Sequence, residues 1–147
     1  MELLSEMPRI FWAGDSTVKQ NDFTSYPQCG IGQGFSLFVK KEILIVNRAE
    51  NGRSTKSFID EGRLEFIKEN IHKGDFLFIQ FGHNDEKNDP LRYTDPQTTF
   101  KENIRTFIDT ARNAGAYPLL ITPLYRRLFT EEGKLVDNTH LTYPHAM

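Results

Sequence analysis

Four short apolar runs punctuate the chain: Ile10-Phe11-Trp12-Ala13, Ile43-Leu44-Ile45-Val46, Phe76-Leu77-Phe78-Ile79 and Leu119-Leu120-Ile121. Each is rich in β-branched or aromatic residues and apolar on both faces, the pattern of strands buried in a parallel sheet. Helical spacings lie between them. Residues 35–41 hold a short one, residues 63–71 place Leu64, Ile67 and Ile71 on one face, and residues 98–113 do the same for Phe100, Ile104, Phe107, Ile108 and Ala111. Gly115 stands where a C-terminal helix stop belongs. Strand and helix in alternation predict right-handed crossovers and an α/β fold, a three-layer parallel sheet flanked on both sides by helices. No repeat, linker or low-complexity tract interrupts the pattern, and residues 1–147 read as one domain.

The polar positions gather where such a fold places its ligands, beyond the carboxyl ends of the strands. The first strand runs into Gly14-Asp15-Ser16, the second into residues 47–54, and the third into Gly82-His83-Asn84-Asp85. Turns are polar for reasons of their own. Three consecutive strands delivering glycine and small polar residues to one edge mark that edge as the candidate site.

Composition narrows the classes of function. A chain of 147 residues can bury a core without staples. Its net charge of -2, from 18 basic and 20 acidic residues mixed along the chain, offers no basic stripe for a phosphate backbone, so nucleic acid is not an expected partner. The single cysteine, Cys29, closes no internal disulfide and is expected to be a partly buried small residue. Residues 1–9 lack a charged-then-apolar leader, and no apolar run approaches the roughly 20 residues that cross a bilayer. The expectation is a soluble cytoplasmic protein with no membrane partner, of bacterial origin.

The blocks AGDST at residues 13–17, NRAENGRSTKSF at 47–58 and FGHND at 81–85 occur in an order that resembles the first three signature blocks of the GDSL or SGNH hydrolases. Within that family the chain is most similar to the rhamnogalacturonan acetylesterase branch. YPQCGIGQGF at residues 26–35 is also similar to that branch, with isoleucine at Ile31 where tryptophan is more usual. The resemblance implies an SGNH-type, flavodoxin-like sheet and a serine esterase that removes acetyl groups from a pectic polysaccharide or oligosaccharide. It implies no cofactor and no metal.

Ester hydrolysis needs a nucleophile, a base, and donors for the oxyanion of the tetrahedral intermediate. By resemblance Ser16 is the nucleophile. The backbone N–H groups of Ser16 and Gly52 and the side-chain amide of Asn84 form the oxyanion hole. Glycine suits the second position if the substrate must approach the backbone closely, and Asn84 supplies donors without titrating. Each residue also has a plain structural use. Ser16 suits a helix cap after a turn glycine, Gly52 an Asn-Gly turn, Asn84 and Asp85 a loop, and His83 a satisfied structural histidine. Asp15 suits a role in orienting its loop through backbone N–H groups. Arg53 suits either a pin on the second loop or a contact to a polar substrate.

In this family the base is the histidine of an Asp-x-x-His block near the C-terminus. The match to that spacing here is Asp137-Asn138-Thr139-His140. Yet a segment similar to residues 133–146 lies, in the acetylesterase branch, before the fifth strand rather than after it. Thr142-Tyr143-Pro144 also announces a helix that has almost no body before Met147. The expectation is therefore an N-terminal fragment of a longer domain, without its final strand and helix, and a poor esterase. A missing strand would leave an unpaired sheet edge and invite self-association.

Other classes fit the letters less well. A metallophosphoesterase needs an Asp-x-His pair on the first strand, and neither His72, His83, His140 nor His145 has metal-ligand spacing. No Gly-x-Ser-x-Gly elbow of an α/β-hydrolase occurs. GIGQG at residues 30–34 misses the dinucleotide fingerprint and reads as a loop. The remaining alternative is a carbohydrate-binding or interaction module of the same fold that has lost its base.

Overall fold

In the computed structural model, which describes residues 7–137 and 139–147, strand Ile10–Gly14 (β1) pairs in parallel with Ile45–Asn47 (β2) on one side. On its other side it pairs in parallel with Phe76–Gln80 (β3). Tyr117–Leu120 (β4) adds to β3 and completes a four-stranded parallel sheet in the order β2-β1-β3-β4. Because every pair is parallel, all the carboxyl ends meet at one edge. The register sets Trp12 between Asn47 and Phe78, and Gly14 opposite Gln80.

Alternation along the strands divides their side chains between two faces. Phe11 and Ala13 of β1 and Leu77 and Ile79 of β3 join the larger core. Helices Thr55–Asp60 (α2), Arg63–Asn70 (α3), Thr99–Asn113 (α4) and Tyr143–Ala146 (α5) cover it, through Phe58, Leu64, Ile67, Phe100, Ile104, Phe107 and Tyr143. The other face carries Ile10, Trp12, Phe76 and Phe78. Its cover is thin: a one-turn helix at Ile31–Gly34 (α1), the 3-10 turn Phe35–Phe38 that follows, and Val39 and Ile43. Trp12 meets Phe78 edge-on at 4.7 Å and Phe35 at 5.6 Å.

Helix ends follow local chemistry. Ser54 Oγ accepts the Ser57 N–H at 3.2 Å and Ser57 Oγ accepts the Ser54 N–H at 2.9 Å, a reciprocal cap that starts α2. At the end of α4, Gly115 has φ +74, and the N–H groups of Gly115 and Ala116 donate to the carbonyls of Arg112 and Ala111, each at 2.9 Å.

Several sequence expectations shift. The second strand is shorter than its apolar run, because Ile43 closes a turn by donating to the Lys40 carbonyl at 3.0 Å. β4 starts earlier than its run and is not buried on both faces: Tyr117 is 57% exposed and Leu120 38%, since this strand is the sheet edge. GIGQG is not a loop, for Gly34 donates to the Gly30 carbonyl at 3.1 Å and closes α1. The helical spacing at 35–41 stops at Phe38. Thr142 places no side-chain cap on α5, and Cys29 is exposed rather than partly buried. Helix α2 went unread because six residues carry too little periodicity. No helix among the described residues is long and apolar enough to cross a membrane.

Candidate active site

β1 delivers Asp15 and Ser16 at its carboxyl end. The Asp15 carbonyl accepts the N–H groups of Val18 at 3.1 Å and Lys19 at 3.0 Å. Its Oδ1 accepts both the N–H and the hydroxyl of Thr17 at 2.8 Å. Asp15 therefore closes the turn that follows β1. Ser16 Oγ has no hydrogen-bond partner among the described residues, and the half-buried serine sits at the wall of a cavity of about 620 Å³.

The loop after β2 stays laced to β1, with Arg48 N–H donating to the Trp12 carbonyl at 2.9 Å and Glu50 N–H to the Gly14 carbonyl at 3.2 Å. Gly52 follows with φ +74, the left-handed region, and a Cβ there would meet only Arg92 Nη1 at 3.9 Å. Backbone conformation, not crowding by the protein, is what asks for glycine. Arg53 pins the loop: its Nε donates to Glu61 Oε2 at 2.9 Å and its Nη1 to the Asn51 carbonyl at 2.8 Å. Among the described residues neither the Ser16 N–H nor the Gly52 N–H has an acceptor.

Asn84, buried at the end of β3, reaches across both loops. Its amide nitrogen lies 3.1 Å from the Arg53 carbonyl and 3.4 Å from Asp15 Oδ2. The next residue, Asp85, is fully buried. Its Oδ1 accepts the Thr55 N–H at 3.0 Å, the Thr55 hydroxyl at 2.5 Å and the Thr94 hydroxyl at 2.9 Å, while Oδ2 has no partner among the described residues. Burial pushes this carboxyl up to about 6, against the pull of those donors and with a further push from Asp15. Burial also raises Asp15, opposed by its Thr17 bonds. The Tyr143 hydroxyl oxygen lies 3.0 Å from the Asp85 carbonyl and also faces the Thr94 carbonyl, its one proton shared between them, which ties α5 to the Asn84 turn.

Nothing in the sequence announced Tyr143 or Thr94 as supports of this turn, because both act from far along the chain. Thr55 carried a partial signal: it is the first residue of a capped helix, where free N–H groups attract a carboxylate.

His140 is buried and turned to other work. Its Nε2 lies 2.7 Å from the Leu124 carbonyl and its Nδ1 3.2 Å from Glu86 Oε2. Glu86 also binds Arg126. Asp137 is exposed and makes no bond to His140 among the described residues, so the short spacing does not build an Asp-His pair. The His83 ring stands edge-on to His140, 4.2 Å between centroids, with a buried Nε2 that has no partner among the described residues. Burial, helped by His140 and Arg126, holds the His83 imidazole down to about 4. His83 is thus not a satisfied histidine.

No protein-family profile matches the chain. It is 45% identical over 139 residues to rhamnogalacturonan acetylesterase RhgT of Bacillus subtilis, a match covering 95% of this chain and 58% of that protein. It is 49% identical over 118 residues to the probable rhamnogalacturonan acetylesterase YesY of the same bacterium, covering 80% of this chain and 54% of that one. The chain thus spans just over half the length of these curated relatives. The crystal structure of Bacillus subtilis YxiM superimposes with a TM-score of 0.81 at 31% identity, over 95% of this chain and 39% of that one. In sequence the chain is similar to rhamnogalacturonan acetylesterases and in fold to YxiM, which fits an SGNH hydrolase of that branch.

Proposed function

We propose that the chain carries the nucleophile and oxyanion hole of a serine esterase that removes acetyl groups from a pectic, rhamnogalacturonan-type saccharide. One observation carries this reading: Ser16 Oγ and the Ser16 and Gly52 N–H groups lack partners among the described residues, at the edge where the Asn84 amide reaches in. Both residues are half-buried, so these donors are within reach of a ligand and are not committed to the fold. In the reaction Ser16 Oγ attacks the acetyl carbonyl, the oxygen turns anionic, and the three donors take that charge. The long Asn84 contact to Asp15 is the bond an oxyanion would displace. The acetylesterase names of the relatives support the substrate class and lend nothing to a binding module or a phosphoesterase.

The proton of Ser16 needs a base, and His140 is given no step because both its ring nitrogens face protein acceptors. We therefore expect the chain to be slow by itself, retaining the contribution of the oxyanion hole. Imidazole added to supply the base should raise acetate release from acetylated rhamnogalacturonan above the protein-free rate. Ser16→Ala should remove that gain; equal gain in the variant would overturn the nucleophile assignment. The outer edge of β4, unpaired among the described residues, supports self-association as a second part of this reading.

A further inference from the structure

Arg92 stands beside Gly52 with much of its donor capacity unspent. A Cβ on Gly52 would meet only Arg92 Nη1, at 3.9 Å, so the guanidinium borders the otherwise open space over a residue whose N–H has no acceptor among the described residues. The side chain is 32% exposed and within reach of a ligand.

The loop that carries Arg92 is fastened at both ends. The Asp89 carbonyl accepts the N–H groups of Arg92 at 2.9 Å and Tyr93 at 2.7 Å, and Asp89 Oδ1 accepts the Leu91 N–H at 3.0 Å. Thr94 donates its N–H to the Asp85 carbonyl at 3.1 Å and its hydroxyl to Asp85 Oδ1 at 2.9 Å, which ties the loop to the turn of Asn84.

Asp89 Oδ2 then takes Arg92 Nε at 2.6 Å. The Leu91 N–H, and after it the guanidinium, hold the Asp89 carboxyl below the usual carboxylate range, so the pair is charged on both sides. A pin for the loop needs no more than this one contact. Neither Nη1 nor Nη2 of Arg92 has an acceptor among the described residues. Two other cations nearby are already spent, Arg53 on Glu61 and the Asn51 carbonyl and Lys56 on Asp60.

We infer that Arg92 reads a carboxylate on the sugar that carries the acetyl ester, and so selects acetylated uronate over acetylated neutral sugar. A guanidinium held from its Nε side presents its Nη donors as a planar fork, the shape that matches a carboxylate. An uncharged substituent would leave that fork without a charged partner. The inference rests on the esterase reading for the acetyl group; the charge selectivity and the residue that confers it go beyond it.

Acetylated trigalacturonate and its methyl ester differ mainly in charge, so together they isolate the contact. In imidazole, Ser16-dependent acetate release from the carboxylate form should exceed that from the methyl ester by about tenfold or more in kcat/KM, with the difference carried by KM. Arg92→Gln should bring the ratio near unity, and Arg92→Lys, which keeps the charge without the fork, should hold part of it. Titration calorimetry with unacetylated trigalacturonate tests the contact without hydrolysis, and binding should weaken by about tenfold in Arg92→Gln. A ratio near unity in the parent chain, or one that survives Arg92→Gln, overturns the inference. Should Arg92→Gln melt early, the parent ratio and the lysine variant still decide it. Binding without Ser16-dependent release sinks the esterase reading alone, and release indifferent to charge sinks the role of Arg92 alone.

Discussion

The two faces of the sheet are made from the same strands and yet are built differently. On one, Phe11, Ala13, Leu77 and Ile79 disappear under four helices, and Phe58, Phe81 and Phe107 stack there at 5.2–5.6 Å. On the other, Trp12 is buried but Phe76 and Phe78 of β3 are only half-covered, under a few short turns. Helices of six and eight residues follow β2 and one of fifteen follows β3, and their buried side chains seal the first side. The segment after β1 instead spends its residues on turns and exposed rings. The thick face gives the fold its stability, and the thin face leaves room beside Ser16.

That contrast can be broken by measurement. The largest effect belongs to Phe107→Ala on the thick face, which should cost about 3–5 kcal/mol in urea unfolding because the buried ring leaves a cavity that α4 cannot close. Phe78→Ala, on the thin face, should cost only about 1–2 kcal/mol, since part of its ring already meets water. A reversed ranking would erase the distinction between the faces.

At the edge shared by both faces, Asn84→Ala should lower imidazole-supported acetate release by about 2.7–4 kcal/mol of transition-state stabilisation, roughly a hundredfold or more. A loss of less than threefold at equal folded fraction would remove Asn84 from the oxyanion hole.

A further effect is a pH dependence. Folding holds the His83 imidazole from 6.5 down to about 4, so the native state prefers the neutral ring. Its contribution is whole above pH 6.5 and is lost as pH falls through about 4. Asp85 acts in the opposite sense, raised from 3.8 to about 6, with a contribution whole below 3.8 and lost as pH rises through about 6. His83→Gln should therefore reduce the acid-side loss of stability by about 1–3 kcal/mol in thermal melts across that window. An unchanged profile would show that His83 titrates normally.

Much of the plan was legible locally. β1 and β3 announced themselves because central strands of a parallel sheet are apolar on both faces, and α4 because its buried residues repeat at helical spacing. β4 was legible as a strand but not as an edge, because exposure depends on a neighbour that sequence does not name. The site divided in the same way. Asp15, Ser16, Gly52 and Asn84 stood out as glycine and small polar residues at strand ends. Yet the Asp-x-x-His spacing at Asp137 and His140 pointed to a pairing that the fold does not make, because Glu86 and the Leu124 carbonyl hold the imidazole instead.

By itself, then, the sequence determined the alternation of strands and helices, the edge where glycine and small polar residues gather and the blocks that resemble a known family, since all of these rest on residues close along the chain. Only the tertiary structure decided which partners are left unsatisfied. Tyr143 reaching the Asp85 carbonyl, Thr55 and Thr94 on its carboxyl group, and N–H groups of Ser16 and Gly52 without acceptors among the described residues depend on packing between segments tens of residues apart. Local patterns encode caps such as Ser54 with Ser57, but satisfaction of these long-range groups is a property of the whole fold.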